Sequence, residues 1–422
     1  MVSIWHYLIR LFTQQPPQQR AKNFTMFETV KATAPDPILA LMMAFREDQR
    51  DGKIDLGVGV YKDATGKTPV MQAIKLAEQK LHNDQDTKTY VSPTGDLEFC
   101  DAVENLIFQN SVATERVKAI QTPGGSGALR ILSDMLISAN PDAKTWVPDP
   151  TWPNHIPMLE GAGHSLDYYT YYDAQNCRVD FDAMVNALQQ AKKGDIVLLH
   201  GCCHNPSGAD LSTEQWKSLA TLFSEKGLMP FVDLAYQGFA DGLNEDAEGI
   251  HILANALPEM VVATSCSKNM ALYRERAGCA LVVADNQQAA SNTASLLVRF
   301  IRQNYSMPPD HGAALSRIVL LDDDLRTTWK EELETMRVRL ETLRSDLAGA
   351  LRKRSNSDRF DYIAAQKGMF SRLPLLEEQT VTLREQHGIY MVGDGRINVA
   401  GLPGHSEEVM DQLASRIVAV MS

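Results

Sequence analysis

The sequence predicts an α/β architecture: a mostly parallel, doubly wound sheet in a large domain, with a smaller α+β domain beside it. Three observations carry this. Short apolar runs alternate with amphipathic helical stretches through the middle of the chain, which is the pattern of βα units building a parallel sheet. At 422 residues the chain is long for one hydrophobic core. A single long helical period from Asp322 to Arg354 is suited to link the large domain to a C-terminal one.

Taken in order, residues 1–25 stand apart, with no Asp or Glu, with Arg10, Arg20 and Lys22, and with a break at QQPPQQ. They are expected to be a disordered or mis-assigned leader ahead of Met26, with a transit peptide as the alternative. No basic segment precedes their apolar residues and no A-x-A-like site follows, which argues against a secretory signal. Behind Asp36-Pro37, apolar residues at Ile38, Leu39, Leu41, Met42, Met43 and Phe45 predict a capped amphipathic helix. DLGVGVYKDATGKTP ends like a P-loop at Lys67-Thr68, but Tyr61 stands where glycine is required. Strands are predicted at KTWVPD, DIVLLH (195–200), LMPFVD (228–233), MVVAT (260–264) and ALVVAD (280–285). STEQWKSLATLFSEKG between two of them has a serine cap and a terminal glycine. The long helix repeats apolar residues at Trp329, Leu333, Met336, Leu340, Leu343, Leu347 and Leu351, one buried face. The division expected is 26–68 with 336–422 as the small domain and 69–335 as the large one.

Composition narrows the function. Apolar residues make up 44% and charged residues 22%, ordinary for a globular protein, and the net charge of −12 comes without any block of five like charges. This argues against nucleic acid or an anionic membrane as partner, and no apolar stretch approaches the roughly 20 residues of a membrane span. The six cysteines form no C-x-x-C pair, which fits reduced thiols in a cytoplasmic protein.

Three strand ends offer chemistry. Asn205 follows DIVLLH, Asp233 ends LMPFVD with Tyr236 three residues on, and Lys268 follows MVVAT. In an open α/β sheet this carboxyl edge is where ligands bind. PGGSGALR sets Gly124, Gly125, Ser126 and Gly127 ahead of an apolar helix, a plausible phosphate cradle and equally a tight turn. Together these residues could serve a pyridinium cofactor. Asp233 would keep its ring nitrogen protonated, Asn205 and Tyr236 would bond its phenolic oxygen, Lys268 would form the imine, and Ser265 and Arg276 would join the glycine turn at its phosphate. A zinc site from His200, Cys202, Cys203 and His204 lacks the usual ligand spacing, and no metal is expected. Ser265-Cys266-Ser267-Lys268 matches S-x-x-K of serine acyl-transfer enzymes, but the partner motifs S-D-N and K-T-G are absent.

GVGVYKDATGKTP, YVSPTG, GGSGALR, DPTWPNH, HGCCHNPSGAD, DLAYQGF, SCSKNMALYRERAG, RQNYSMPP, GMFS and GRINVAGL together resemble the aspartate and aromatic amino acid aminotransferases, pyridoxal-phosphate enzymes of fold type I, from about Met26 to the C-terminus. The resemblance implies pyridoxal 5'-phosphate as cofactor and Lys268 as the Schiff-base lysine and proton shuttle. It implies Asp233 on the pyridine nitrogen with His155 behind it, Asn205 and Tyr236 at the phenolic oxygen, and Trp152 stacked on the ring. Gly125, Ser126, Ser265 and Arg276 are implied at the phosphate, joined by Tyr90 from a neighbouring subunit of a homodimer with shared active sites. For substrate it implies Arg396 on the α-carboxylate near the Gly59 backbone, and Arg302 reaching across the dimer to a side-chain carboxylate. Ser126 and Met307 depart from the strict aspartate pattern, while Val60, Lys62 and Thr68 keep it. The expectation is dual specificity, with aspartate and aromatic amino acids transaminated against 2-oxoglutarate; the alternative is a strict aspartate enzyme.

Overall fold

The computed structural model describes residues 26–32, 36–404 and 406–421; the leader of residues 1–25 lies outside them. Its centre is a seven-stranded sheet: β1 (Val117–Pro123), β2 (Lys144–Asp149), β3 (Ser165–Thr170), β4 (Ile196–His200), β5 (Met229–Leu234), β6 (Met260–Ser265) and β7 (Ala277–Val283). Their spatial order is β1-β7-β6-β5-β4-β2-β3. Neighbours from β3 to β6 pair in parallel, and β7 alone is inverted, antiparallel to both β6 and β1.

Every residue of β4, β6 and β7 is buried, because helices cover both faces of the sheet. The period of two sorts the side chains. Ile196, Leu198, Phe231 and Val261 face one core with Leu129, Ile131 and Leu132 of α2, while Val197, Leu199, Val232 and Val262 face the other with Trp216, Leu219 and Phe223 of α3. The helices in this description are α1 (Pro37–Glu47), α2 (Gly124–Ala139), α3 (Thr213–Lys226), α4 (Gln287–Asn304) and α5 (Asp323–Ser355). As the sequence predicts, α3 starts at a Ser212 cap and stops at left-handed Gly227; Gln215 completes a capping box. In α5, Asp322 caps the first turn, Arg352, Lys353 and Arg354 favour the negative end of the helix dipole, and the seven predicted apolar positions are all buried.

Two strands escape the sequence reading. β1 (VKAIQTP) carries Lys118, Gln121 and Thr122 and so lacks an apolar run; Gln121 is nonetheless buried, bonding the Asp96 amide and the Pro309 carbonyl. β3 (SLDYYT) is an edge strand with one fully buried side chain, Tyr169. The β7 strand also starts three residues before its expected ALVVAD, since the small residues of AGC let it pass the glycine turn: a Cβ at Gly278 would lie 2.4 Å from the Gly124 carbonyl carbon.

Away from the sheet, the N-terminal and C-terminal segments meet. Ile54–Asp55 pairs in parallel with Ile389–Tyr390, and Phe370–Arg372 pairs antiparallel with Arg396–Asn398. The Arg50 guanidinium ties them further by donating to the Arg384 and Glu385 carbonyls. Among the described residues no helix is long and apolar enough to cross a membrane.

Candidate active site

The carboxyl ends of β4, β5 and β6 open into a cleft of ≈ 270 Å³ lined by Gly59, Gly125, Ser126, Trp152, Asn205, Asp233, Tyr236, Ser265, Lys268, Arg276 and Arg396. These eleven were all singled out in the sequence. Parallel register is what gathers them, since His200 stands beside Asp233, and Leu234 beside Thr264.

One end of the cleft is built for an anion. Gly124 opens α2 with φ +68, and a Cβ there would lie 2.4 Å from Arg276 Nη2. No side chain caps the first turn of α2, so its free N–H groups and positive dipole end serve whatever lies in front of them. Ser265 and Ser267 are buried beside it, and Arg276 donates to Ser267 Oγ at 3.3 Å and to the Tyr273 carbonyl at 3.1 Å. Arg276 holds φ +55, a left-handed turn that aims its guanidinium back to the site as the chain enters β7.

Lys268 lies between the anion end and Asp233, its Nζ 4.7 Å from the centroid of the Tyr236 ring. Burial lowers its pKa, Arg276 adds to the effect, and Asp233 opposes it. The amine is therefore easier to deprotonate than a surface lysine and more available as nucleophile or base.

Asp233 is 8% exposed and accepts from His155 Nε2 at 3.0 Å. Burial alone raises a carboxyl pKa, but the His155 hydrogen bond, with His155, His200 and Lys268 close by, holds Asp233 below its ordinary value. The chain continues: Thr151 Oγ1 lies 2.8 Å from His155 Nδ1 and 3.0 Å from His200 Nε2. With neutral rings only one direction satisfies it. His155 donates to Asp233 and accepts from the Thr151 hydroxyl, which accepts from His200. Trp152 meets His155 edge to face at 5.2 Å and closes the ring side of the cleft.

Opposite stands Arg396, 4% exposed, donating to the Gly57 carbonyl at 2.9 Å and to Asn205 Oδ1 at 3.4 Å, with its guanidinium 4.7 Å from the Phe370 ring. Its Nε has no hydrogen-bond partner among the described residues. A buried, half-satisfied guanidinium is a receptor for a carboxylate.

Tyr90 and Arg302 are not brought to this cleft by their own chain. Tyr90 is 89% exposed, and Arg302 is exposed near the end of α4, where it donates to Ser306 Oγ at 2.5 Å. Sequence reading in turn missed Ile38, Tyr273 and Phe370 as lining residues. Phe370 belonged to the GMFS motif without a role, and Tyr273, whose hydroxyl accepts from the Tyr61 amide at 2.9 Å, sat inside the lysine motif. His200 was weighed only as a zinc ligand, and its connection to Thr151 has no sequence signal. Arg274, given no role, is exposed. Cys202 and Cys203 do lie near Asp246, but that carboxylate is occupied by the Gly238, Ala240, Asp241 and Gly242 amides.

Comparisons with known proteins agree with this geometry. A family model described as Aminotransferase class I and II matches residues 51–417. The aromatic-amino-acid aminotransferase of Paracoccus denitrificans is 47% identical over 395 residues, 94% of this chain and 100% of the relative. The aspartate aminotransferase of Escherichia coli (strain K12) is 45% identical over 399 residues, 94% and 100% respectively. A solved aromatic-amino-acid aminotransferase from Burkholderia pseudomallei, covalently bound to pyridoxal phosphate, superposes with a TM-score of 0.91 at 39% identity, covering 94% of this chain and 100% of that one. With a Lys268-centred cleft at the carboxyl edge of a doubly wound sheet and relatives aligned along their whole length, the chain belongs to the class I and II aminotransferases, enzymes that transfer amino groups.

Proposed function

We propose that this aminotransferase moves amino groups between aspartate or aromatic amino acids and 2-oxoglutarate, with pyridoxal 5'-phosphate held in the cleft. The observation that carries the reading is the joint occupancy of one cleft by an anion cradle, a buried lysine, a charged aspartate and a half-satisfied arginine. The donor set fits the cofactor. Gly125, Ser126, Ser265 and Arg276 suit its phosphate, Asp233 its ring nitrogen, Asn205 and Tyr236 its phenolic oxygen, and Trp152 and His155 the ring and its aspartate. When bound, pyridoxal phosphate supplies the electron sink for charge developing at the substrate Cα.

The chain's own residues do the rest. Arg396 takes the α-carboxylate in a bidentate fork near Gly59 and so orients the Cα–H bond. Lys268, with its lowered pKa, would take the proton from the substrate Cα and hold it for return across the imine nitrogen. Asp233, kept ionised by His155, would face the ring nitrogen and favour its protonated form.

Tyr90 and Arg302 act in a second copy of the chain, in a homodimer with shared active sites; their exposure on the single chain supports this. The names of the relatives, aromatic-amino-acid and aspartate aminotransferases, support two substrate classes over the strict aspartate alternative. Six buried free cysteines support a reducing, cytoplasmic setting. The shared small sheets support grouping 26–68 with 336–422 around a large domain of 69–335.

Two measurements test the reading. Borohydride reduction of the pyridoxal-phosphate-loaded enzyme, followed by peptide mapping, is expected to mark Lys268; a mark on any other lysine overturns the site. For substrate class, Arg302→Leu is expected to lower kcat/KM for aspartate by about 10- to 100-fold, the worth of a charged hydrogen-bond pair, while phenylalanine changes by less than about threefold. If phenylalanine is no better a substrate than alanine in the parent enzyme, dual specificity is wrong.

A further inference from the structure

Among the described residues two arginines are buried, Arg396 at 4% and Arg344 at 2% exposure. Arg344 lies on the inner face of α5 and does not itself line the cleft. A guanidinium offers five N–H donors, and here each is engaged. Nε donates to the Gly368 carbonyl at 3.1 Å, Nη1 to the Ile363 carbonyl at 3.1 Å and Ser371 Oγ at 2.7 Å, and Nη2 to the carbonyls of Lys367 at 2.7 Å, Gly368 at 2.8 Å and Phe370. It makes no carboxylate ion pair among the described residues. Burial pushes its pKa down to about 10, with Cys203, Asp210 and Tyr362 opposing, and the hydrogen bonds of the cation go to backbone carbonyls and one hydroxyl.

Burying a cation this way is costly unless something gains from gathering those carbonyls. Residues 363–371 curl around Arg344 and press on the loop that carries Asn205. A Cβ at Gly368 would lie 2.4 Å from Cys203 Cβ, one at Gly208 would lie 2.2 Å from the Phe370 carbonyl oxygen, and the Lys367 amide donates to the Gly208 carbonyl at 2.8 Å. On its other side the same segment becomes the strand Phe370–Arg372, paired with the strand that begins at Arg396. The Phe370 ring stands against the Arg396 guanidinium and, at 5.9 Å, against Tyr236.

We propose that Arg344 is a positioning residue for carboxylate capture: by gathering the carbonyls of residues 363–370 it sets where Phe370 and Arg396 stand relative to Asn205. The proposal rests on the reading of Arg396 as the α-carboxylate receptor. Amino acid and 2-oxo acid both carry that carboxylate, so loosening the segment weakens both. Lys268 is mounted on β6 and β7, outside the segment, so proton transfer is spared.

The test compares the pyridoxal-phosphate-loaded parent with Arg344→Lys, Arg344→Met and Arg396→Lys. Lysine keeps the charge but supplies three donors without the planar fork. Three quantities are read: kcat and KM for aspartate and 2-oxoglutarate, the Kd of succinate as a non-reacting dicarboxylate, and the urea midpoint. Arg344→Lys is expected to raise both KM values and the succinate Kd together by about tenfold or more, with kcat within about threefold of the parent. Arg344→Met is expected to move them the same way with a larger loss of stability; if it does not fold, Arg344→Lys decides. A lowered urea midpoint with parental KM and Kd overturns the proposal, because Arg344 is then structural only. A fall in kcat at unchanged KM overturns it too. Arg396→Lys separates the two levels: if it leaves the succinate Kd unchanged, the carboxylate reading itself fails, and if it raises that Kd while Arg344→Lys does not, only the role of Arg344 fails.

Discussion

Asp233 and His200 show how burial and a hydrogen-bond chain set protonation at the residue scale. Burial drives His200 down to about 3 from an ordinary 6.5, with the neighbouring His155 adding to the fall and Asp233 opposing it. His204, stacked on Tyr171 and tilted against His200, is likewise held well below its ordinary value by burial. The sign follows from proton counting. Below pH 6.5 the unfolded chain binds a proton on each of these rings that the folded chain refuses, so stability is intact above 6.5 and falls with acidification toward 3. Each such ring adds about 1.4 kcal/mol per pH unit while the one-proton difference persists. Urea unfolding of the cofactor-free protein between pH 4.5 and 7 is therefore expected to show a slope that His200→Gln makes shallower; an unchanged slope would mean the ring is not buried neutral. Of this chain, Asp233 was legible because it ends an apolar strand, and His155 came with the resemblance. Thr151 and His200 were not legible, because their contact spans 49 residues and leaves no local pattern.

At the scale of elements, α5 does more than fill space. Its Trp329 is fully buried and donates to the Asn269 carbonyl at 2.7 Å, one residue beyond Lys268. The helix thus pins the lysine loop from behind. Trp329→Phe keeps most of the packing and leaves that carbonyl unbonded, at an expected loss of about 1 to 3 kcal/mol in urea unfolding. Trp329→Ala is expected to lose about 3 to 5 kcal/mol; equal losses for the two variants would leave the packing contribution unsupported. The face of α5 could be read from the sequence because seven apolar positions share one helical stripe. The central strands could be read because a strand covered on both sides is apolar throughout. β1 and β3 could not, since one hides polar side chains behind specific hydrogen bonds and the other lies at an edge. Arg344 breaks the stripe it belongs to, and nothing in its local sequence announces a cation turned inward.

At the scale of the whole molecule, the proposed homodimer makes each site depend on two chains. Lys268→Ala, expected to lose about 10² to 10⁴-fold in turnover, and Arg302→Ala, expected to be poor with aspartate, carry their lesions in different halves of a site. Refolding the two together is expected to restore aspartate activity that neither has alone, because a mixed dimer contains one site with both residues intact. No recovery on mixing would place Arg302 in its own chain's site and remove the main support for shared sites. The inverted β7 strand bears on the same point. Because it runs against β6, the excursion from Ser265 to Ala277 leaves and re-enters the sheet at one edge, closed by the Cys266 amide on the Ala277 carbonyl at 3.0 Å. Lys268 and Arg276 are therefore two points on one loop closed by that hydrogen bond. The anion end of the cleft is set by the central sheet, whereas Arg396 is held by separate short strands, so under the proposed reading adjustment to substrates of different size falls to the Arg396 side.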